Sequence, residues 1–369
     1  MKIPIAKPYL GQKELSNVIE AVVDGWISSK GKFIEEFEQK FADYCGVKYG
    51  VATNSGTAAL HLALTALGIG PGDEVVVPAL TYIATADAVT YTGAKPVFVD
   101  VDEYHWGIDT LKIQEKITSL KTKAIIPVYL YGHPPEMVAI RNLKFASDYS
   151  LKVIEDAAEA HGAEFNGYRA GHFGDIGCFS FYGNKIITTG EGGMCVTDGA
   201  RLADEMRHLR NAAMVRPYIH NKVGFNYNMT NLQAAIGSAQ VDKLDEIIEK
   251  KRWIASWYAD ALKPLADKGQ ITLHPEAGWA KCVYWLYSIL IKETAFGMSR
   301  DQVMEALAEK GIETRPFFSV IPYLPHYHDV KTYPVAERLS NEGMNLPSYP
   351  QMTVGELEYV TNAIKELAK

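Results

Sequence analysis

Lys185 stands in a stretch whose residue types suit a reactive amine. From 178 to 193 the chain reads CFSFYGNKIITTGEGG: a β-like run with Ser180 in it, then Lys185, then a Thr- and Gly-rich loop. Upstream, Val153-Ile154-Glu155-Asp156 is a short apolar run that ends in two acids. In an open α/β sheet, ligands bind outside the carboxyl ends of the strands, where an acid and an amine on neighbouring strand ends can face one flat ring. A lysine held there can condense with an aldehyde, and pyridoxal 5′-phosphate (PLP) carries one. Asp156 is the acid that would keep the pyridine nitrogen protonated, which the cofactor needs to act as an electron sink. Taken alone, a lysine such as Lys185 is more often a solvated surface residue, by about five to one. The strand-end acid and the surrounding Gly, Ser and Thr residues favour the amine site.

A second group of candidates precedes a helical stretch over 58–67. Ser55-Gly56-Thr57 puts small hydroxyl residues at a helix N-terminus, where free amides and the helix dipole attract an anion such as a phosphate. Ser55 or Thr57 also suits a plain N-cap, and the two roles share the same donors. Tyr82, just past the apolar run Val75-Val76-Val77, could stack on a flat ring or cover the core. The loop Gly25-Trp26-Ile27-Ser28-Ser29-Lys30-Gly31 reads as a substrate loop or as a helix end and turn.

The elements that must position these residues alternate. Short strand-like runs at 49–53, 74–78, 95–102 and 124–128 are separated by helical stretches, which predicts a mostly parallel sheet covered on both faces. Residues 33–46 read as an amphipathic helix with Phe33, Phe37 and Phe41 on its buried stripe, ended by Gly46. Helices are expected near 12–23, 109–118, 136–149 and 200–211, and helical character runs with few breaks from 232 to about 262. Beyond 264 the pattern changes to a strand over 285–291, a helix over 299–310 capped by Ser299, and a C-terminal helix from about 354.

Composition sets outer bounds. The chain has 369 residues, 47% hydrophobic and 22% charged, and a formal net charge of −7. That is ordinary globular composition, and the acidic balance argues against a nucleic-acid partner. Cys45, Cys178, Cys195 and Cys282 lack C-x-x-C spacing, so neither zinc nor a disulfide framework is expected. No apolar run of membrane-spanning length and no signal-peptide pattern is present, so a cytoplasmic location is expected. Gly68-Ile69-Gly70-Pro71-Gly72 lacks the spacing of a dinucleotide-binding turn, against a nicotinamide-dependent enzyme.

The whole chain resembles the sugar-nucleotide aminotransferases of the DegT/DnrJ/EryC1/StrS family. The motifs that carry the resemblance are Ser55-Gly56-Thr57-Ala58-Ala59-Leu60, Val77-Pro78 with Thr81-Tyr82, Glu155-Asp156-Ala157-Ala158-Glu159, the Ser180…Lys185 segment with Thr189-Gly190-Glu191-Gly192-Gly193, and Gly224-Phe225-Asn226-Tyr227. Trp26-Ile27-Ser28-Ser29, the residues 182–189 and Arg315-Pro316 resemble members that act on a GDP-linked sugar. Asn228 departs from the family, where many members have Arg. Ser319-Val320-Ile321-Pro322 departs where similar members carry a His-containing segment.

The resemblance implies PLP-dependent transferase fold type I, aspartate aminotransferase-like: a large domain over residues 1–245 with a mostly parallel seven-stranded sheet, and a smaller C-terminal α+β domain over 246–369. It implies amino transfer from L-glutamate to a nucleotide-linked 4-keto-6-deoxyhexose. The nucleotide, and amination at C3 or C4, stay open between GDP-, UDP- and dTDP-linked sugars. A related dehydratase has His where Lys185 stands. The resemblance further implies that Glu159 lies near the ring hydroxyl and that Ser55, Gly56, Thr57 and Ser180 hold the phosphate. Asn228, and with it Asn226, would reach the phosphate in a partner subunit, which requires a homodimer with shared sites. Trp26, Ser28 and Arg315 would face the substrate. No metal is implied.

Overall fold

The structure, a computed structural model, describes residues 2–117, 120–146 and 151–369. Its centre is a seven-stranded sheet. In chain order the strands are β1 (Tyr49–Thr53), β2 (Glu74–Pro78), β3 (Lys95–Val99), β4 (Thr122–Ile125), β5 (Lys152–Asp156), β6 (Ile176–Ser180) and β7 (Gly193–Thr197). Their spatial order is β1-β7-β6-β5-β4-β2-β3. Only β7 runs against its neighbours, pairing antiparallel with both β1 and β6. The other pairings are parallel, so the carboxyl ends of the remaining six strands share one rim.

Both faces are covered, as the near-continuous apolar strands require. The Lys32–Cys45 helix presents Phe33, Phe37 and Phe41 inward, all buried. Phe41 meets Phe179 and Phe181 edge-on at 4.8 and 5.2 Å between ring centroids. Burying each phenylalanine contributes about 1.5–3 kcal/mol. Gly46 ends this helix in the left-handed region, φ 74°, a conformation that glycine adopts without strain.

A second sheet, of Ile271–Leu273, Tyr287–Ile291, Gly343–Leu346 and Arg315–Pro316 in that spatial order, has its own apolar core. The Leu244–Asp267 helix joins the two cores. Leu244, Ile247 and Ile248 pack in the first, and Ile254, Tyr258 and Leu262 in the second. The first residues of the chain also reach the second core. Ile3 donates its N–H to Gly311 and accepts from Glu313, both at 2.9 Å, and Ile5 donates to the Glu313 carboxylate at 3.1 Å.

Several expected elements differ in extent; the strands expected over 95–102 and 124–128 are Lys95–Val99 and Thr122–Ile125. The helix expected over 232–262 is two, Asn231–Val241 and Leu244–Asp267. The break falls at Asp242, whose carboxylate is held by Lys13 and Lys40 from the two N-terminal helices. The strand expected over 285–291 begins at Tyr287, because Val283 and Trp285 donate instead to the carbonyls of Gly132 and Tyr131. The helix expected over 109–118 is Thr110–Gln114, capped by Asp109, and residue 118 lies outside the described residues. The helix expected over 136–149 is Met137–Ala146, with 147–149 outside them.

Candidate active site

Strand register assembles the rim. Thr53 of β1 lies opposite Gly193 of β7, and Gly193 opposite Ser180 of β6. Gly193 must be glycine, since a Cβ there would come 2.2 Å from the Ser55 carbonyl oxygen. The close approach brings the Ser55 turn against the end of β6. Ser55 caps the Gly56–Ala66 helix, accepting from the Ala58 N–H at 3.1 Å. Ala59 donates to the Ser55 carbonyl, which leaves the amides of Gly56 and Thr57 as the helix-end donors. A Cβ on Gly56 would sit 2.7 Å from that of Ser180. Glycine thus lets the helix N-terminus approach Ser180 closely, gathering amides and hydroxyls of the kind that bind a phosphate.

Asp156 ends β5 and is buried. Its carboxylate accepts from the Thr85 hydroxyl at 2.7 Å and the Ala158 N–H at 3.3 Å. Burial pushes its pKa up, and these two donors and Lys185 pull the other way. Glu159, one turn on, accepts from the Tyr131 N–H at 2.7 Å. Its carboxyl is pushed up to about 7, chiefly by burial against the opposing pull of Lys185. Glu155 faces the opposite way and takes no part in this rim. It accepts from the Tyr129 hydroxyl and from the amides of Gly171, Phe173 and Gly174.

Lys185 enters from the loop after β6. That loop closes on itself, with Lys185 N–H donating to Tyr182 and Thr189 N–H to Phe181, both at 2.9 Å. The amine lies 3.6 Å from Glu159 and 3.9 Å from the centroid of the Trp285 ring. Burial pushes its pKa down, while Glu159 and Asp156 pull it back up. A lysine depressed this way has more of its amine neutral, which is the nucleophilic form. Tyr82 stands exposed at the mouth, 5.7 Å from the Phe318 ring, and does not cover the core.

A flat, phosphorylated pyridine aldehyde fits this donor set. The amine lies beside Glu159 and within the field of the buried strand-end Asp156, and the helix-end amides approach Ser180 at the end of the adjacent strand. Lys185, Asp156, Glu159, Ser180, Ser55, Gly56 and Thr57 are grouped there.

Asn226 and Asn228 belong to an adjoining loop. Asn54 donates its backbone N–H to Tyr227 and its side-chain amide to the Asn226 carbonyl, which ties this loop to the phosphate turn. The Asn228 side chain donates to Asn211 at 3.2 Å. Trp26 and Ser28 are set beside that loop by Asn231, whose side chain donates to the Trp26 carbonyl and whose N–H donates to that of Ser28. Gly25 takes φ 74° just past the first helix, so this loop is a helix end as well as an exposed surface. Arg315 is exposed on the edge of the second sheet and paired with Glu313 at 2.6 Å.

Sequence reasoning missed Thr85, Tyr131 and Trp285. Thr85 had a faint signal, four residues after Thr81 on the helix that follows β2. Tyr131 and Trp285 act through long-range contacts that no local pattern reveals.

A sheet of this order, with a buried lysine after β6 and an acid ending β5, defines a PLP-dependent transferase of fold type I. The chain belongs to the DegT/DnrJ/EryC1/StrS aminotransferase family, whose model matches residues 8–365. It is 46% identical to GDP-perosamine synthase of Caulobacter vibrioides, over 99% of this chain and 98% of that protein. It is 45% identical to GDP-perosamine synthase of Escherichia coli O157:H7, again over 99% and 98%. Among solved structures, the Streptococcus pneumoniae protein Spr1654 in its PLP form superposes with a TM-score of 0.91. It is 25% identical, over 100% of this chain and 98% of that one.

Proposed function

We propose that this enzyme transfers the amino group of L-glutamate to GDP-4-keto-6-deoxy-D-mannose, giving GDP-perosamine, a 4-amino-4,6-dideoxy sugar nucleotide. Such a product serves O-antigen or other surface polysaccharide synthesis in lipopolysaccharide-type assembly. The observation that carries the reading is the full-length likeness to two GDP-perosamine synthases. Among the described residues no helix is long and apolar enough to cross a membrane, in keeping with work on a soluble nucleotide sugar in the cytoplasm. The test is direct: incubate the purified protein with L-glutamate and GDP-, UDP- and dTDP-linked 4-keto sugars and weigh the products. Amination confined to UDP- or dTDP-linked sugars would overturn the GDP assignment.

PLP supplies an electron sink that lets a proton leave the carbon bearing the amino group. The chain's residues do the rest. Lys185 would carry the cofactor, and its amine, when free, would be the base that moves the proton between the two carbons. Asp156, its carboxylate fixed by Thr85, would hold the proton on the pyridine nitrogen. Glu159 would lie near the ring hydroxyl, Tyr82 would stack on the ring, and Ser55, Gly56, Thr57 and Ser180 would hold the phosphate. Trp26, Ser28 and Arg315 face the sugar nucleotide. With the chain divided at residue 245, as the proposal has it, Phe317 and Phe318 of the smaller unit pack on Tyr131 at 4.6 and 5.4 Å between ring centroids.

Asp156→Asn tests the acid. The amide keeps the Thr85 hydrogen bond and the fold but cannot hold a proton on the ring nitrogen. Turnover with glutamate should fall on the order of a hundredfold or more, the scale of losing one preorganised electrostatic partner. Unchanged turnover would make Asp156 a structural acid.

The protein works as a homodimer in which Asn228, with Asn226, completes the phosphate site of the neighbouring subunit. Asn228→Ala should weaken PLP binding roughly ten- to a hundredfold, the effect of one charge-assisted hydrogen bond. A Lys185→Ala chain mixed with an Asn228→Ala chain rebuilds one intact site per heterodimer. At PLP concentrations too low to load the Asn228→Ala homodimer, activity restored above the average of the two homodimers is expected. Activity at that average would end the shared-site proposal.

A further inference from the structure

Trp285 is distant from Lys185 in the chain, yet its ring face lies 3.9 Å from the lysine amine. The indole is fixed at several points. Its N–H donates to the backbone carbonyl of Asn184 at 2.7 Å. Its backbone N–H donates to Tyr131 at 3.0 Å, and the Tyr131 ring lies nearly parallel to it, 14° between planes with centroids 6.2 Å apart. Tyr131 in turn donates its N–H to Glu159. The side chain is 5% exposed. One rigid ring therefore touches the peptide that precedes Lys185, the amine of Lys185, and the turn that orients the carboxylate beside that amine.

We infer that Trp285 is a positioning residue for Lys185, whose ring face holds the lysine's free ammonium while its N–H anchors the Asn184–Lys185 peptide. This rests on the reading of Lys185 as the amine that carries the cofactor. For part of each cycle that amine is free, on a flexible four-carbon stem, and it must return to one place. Two supports of different chemistry flank it. Glu159 can take its proton. The indole face attracts the cation through the ring quadrupole but accepts no proton, so it steadies the charged amine without competing as a base. The charged and titratable groups around the amine are Glu159, Asp156 and His161, with Lys251 lining the same small cavity as Lys185 and Trp285.

The test uses the full-length holoenzyme loaded with pyridoxamine 5′-phosphate, which leaves Lys185 free. Its protonation is read by acetic anhydride labelling against pH, with mass spectrometry of the peptide that contains it. Tryptophan bearing one to four ring fluorines is placed at position 285. It keeps shape and N–H while draining the ring face. The labelling midpoint should move stepwise to lower pH, by about one unit with four fluorines. An unmoved midpoint across the series overturns the proposal. Trp285→Phe, which keeps a ring face, should lie closer to the parent midpoint than Trp285→Leu, and equal midpoints for those two overturn it as well. The underlying reading fails separately, if borohydride reduction of the PLP-loaded enzyme marks a residue other than Lys185.

Discussion

Lys185→Ala should abolish transamination while leaving a folded protein that still binds PLP without a covalent link. Lys251 lines the same small cavity, but its amine is bonded to the Ser348 carbonyl; among the described lysines, only Lys185 lies between Glu159 and the Trp285 ring face. Losing a covalent nucleophile lowers turnover by at least on the order of a thousandfold. The fold survives because the change takes a buried charge away. Glu159 loses the cation that lowers its pKa and becomes protonated over a wider range, so no unpaired charge is stranded. Lys185→Arg separates charge from chemistry. It keeps a cation against Glu159 and should be as inactive as the alanine variant. Turnover of either variant within tenfold of the parent would refute the assignment of Lys185.

Glu155→Ala should give the largest loss of stability. Glu155 is fully buried. Besides the Tyr129 hydroxyl, its carboxylate satisfies the amides of Gly171, Phe173 and Gly174 at 2.9, 2.7 and 2.6 Å. Burial pushes its pKa up and these donors pull it down. Alanine leaves all four donors without their acceptor, and the two that are fully buried, the Tyr129 hydroxyl and the Gly171 amide, cost roughly 1–3 kcal/mol each, with smaller losses at the part-buried amides of Phe173 and Gly174. A loss of at least about 3 kcal/mol in denaturant unfolding is therefore expected, with the loop that leads into β6 loosened first. Glu155→Gln keeps an acceptor and should fall between the two. A Glu155→Ala protein that unfolds at the parent's denaturant midpoint would show that water replaces the carboxylate freely.

Much of this arrangement was legible in residue order. The runs at 49–53, 74–78 and 153–156 read as strands because each is short, apolar and bounded by turn residues, and each forms where expected. Ser55 reads as a cap because a hydroxyl precedes an apolar helix, and it caps. Asp156 and Lys185 stood out because the carboxyl rim of a parallel sheet is where polar side chains can gather. What stayed hidden depends on tertiary pairing. Nothing local to Trp285 distinguishes the start of a strand from a segment bonded to the Tyr131 turn. Nothing local to Asp242 shows that lysines from two other helices interrupt the helical run there. Glu155 and Asp156 are adjacent acids, and only the alternation of side chains along β5 sends one into the interior and the other to the crevice.

The hydrogen bond from Ile5 to Glu313 spans 308 residues of chain. A ribosome adds about 5–20 residues per second, so the early segment waits about 15–60 s before its partner exists. During that interval the large sheet can close, since all seven of its strands lie between Tyr49 and Thr197. Ile3 cannot find its place then, because every other buried residue of its core lies at position 254 or beyond. Biosynthesis thus has a built-in order, with the large sheet able to form first and the amino-terminal segment fastened to the 311–313 segment later.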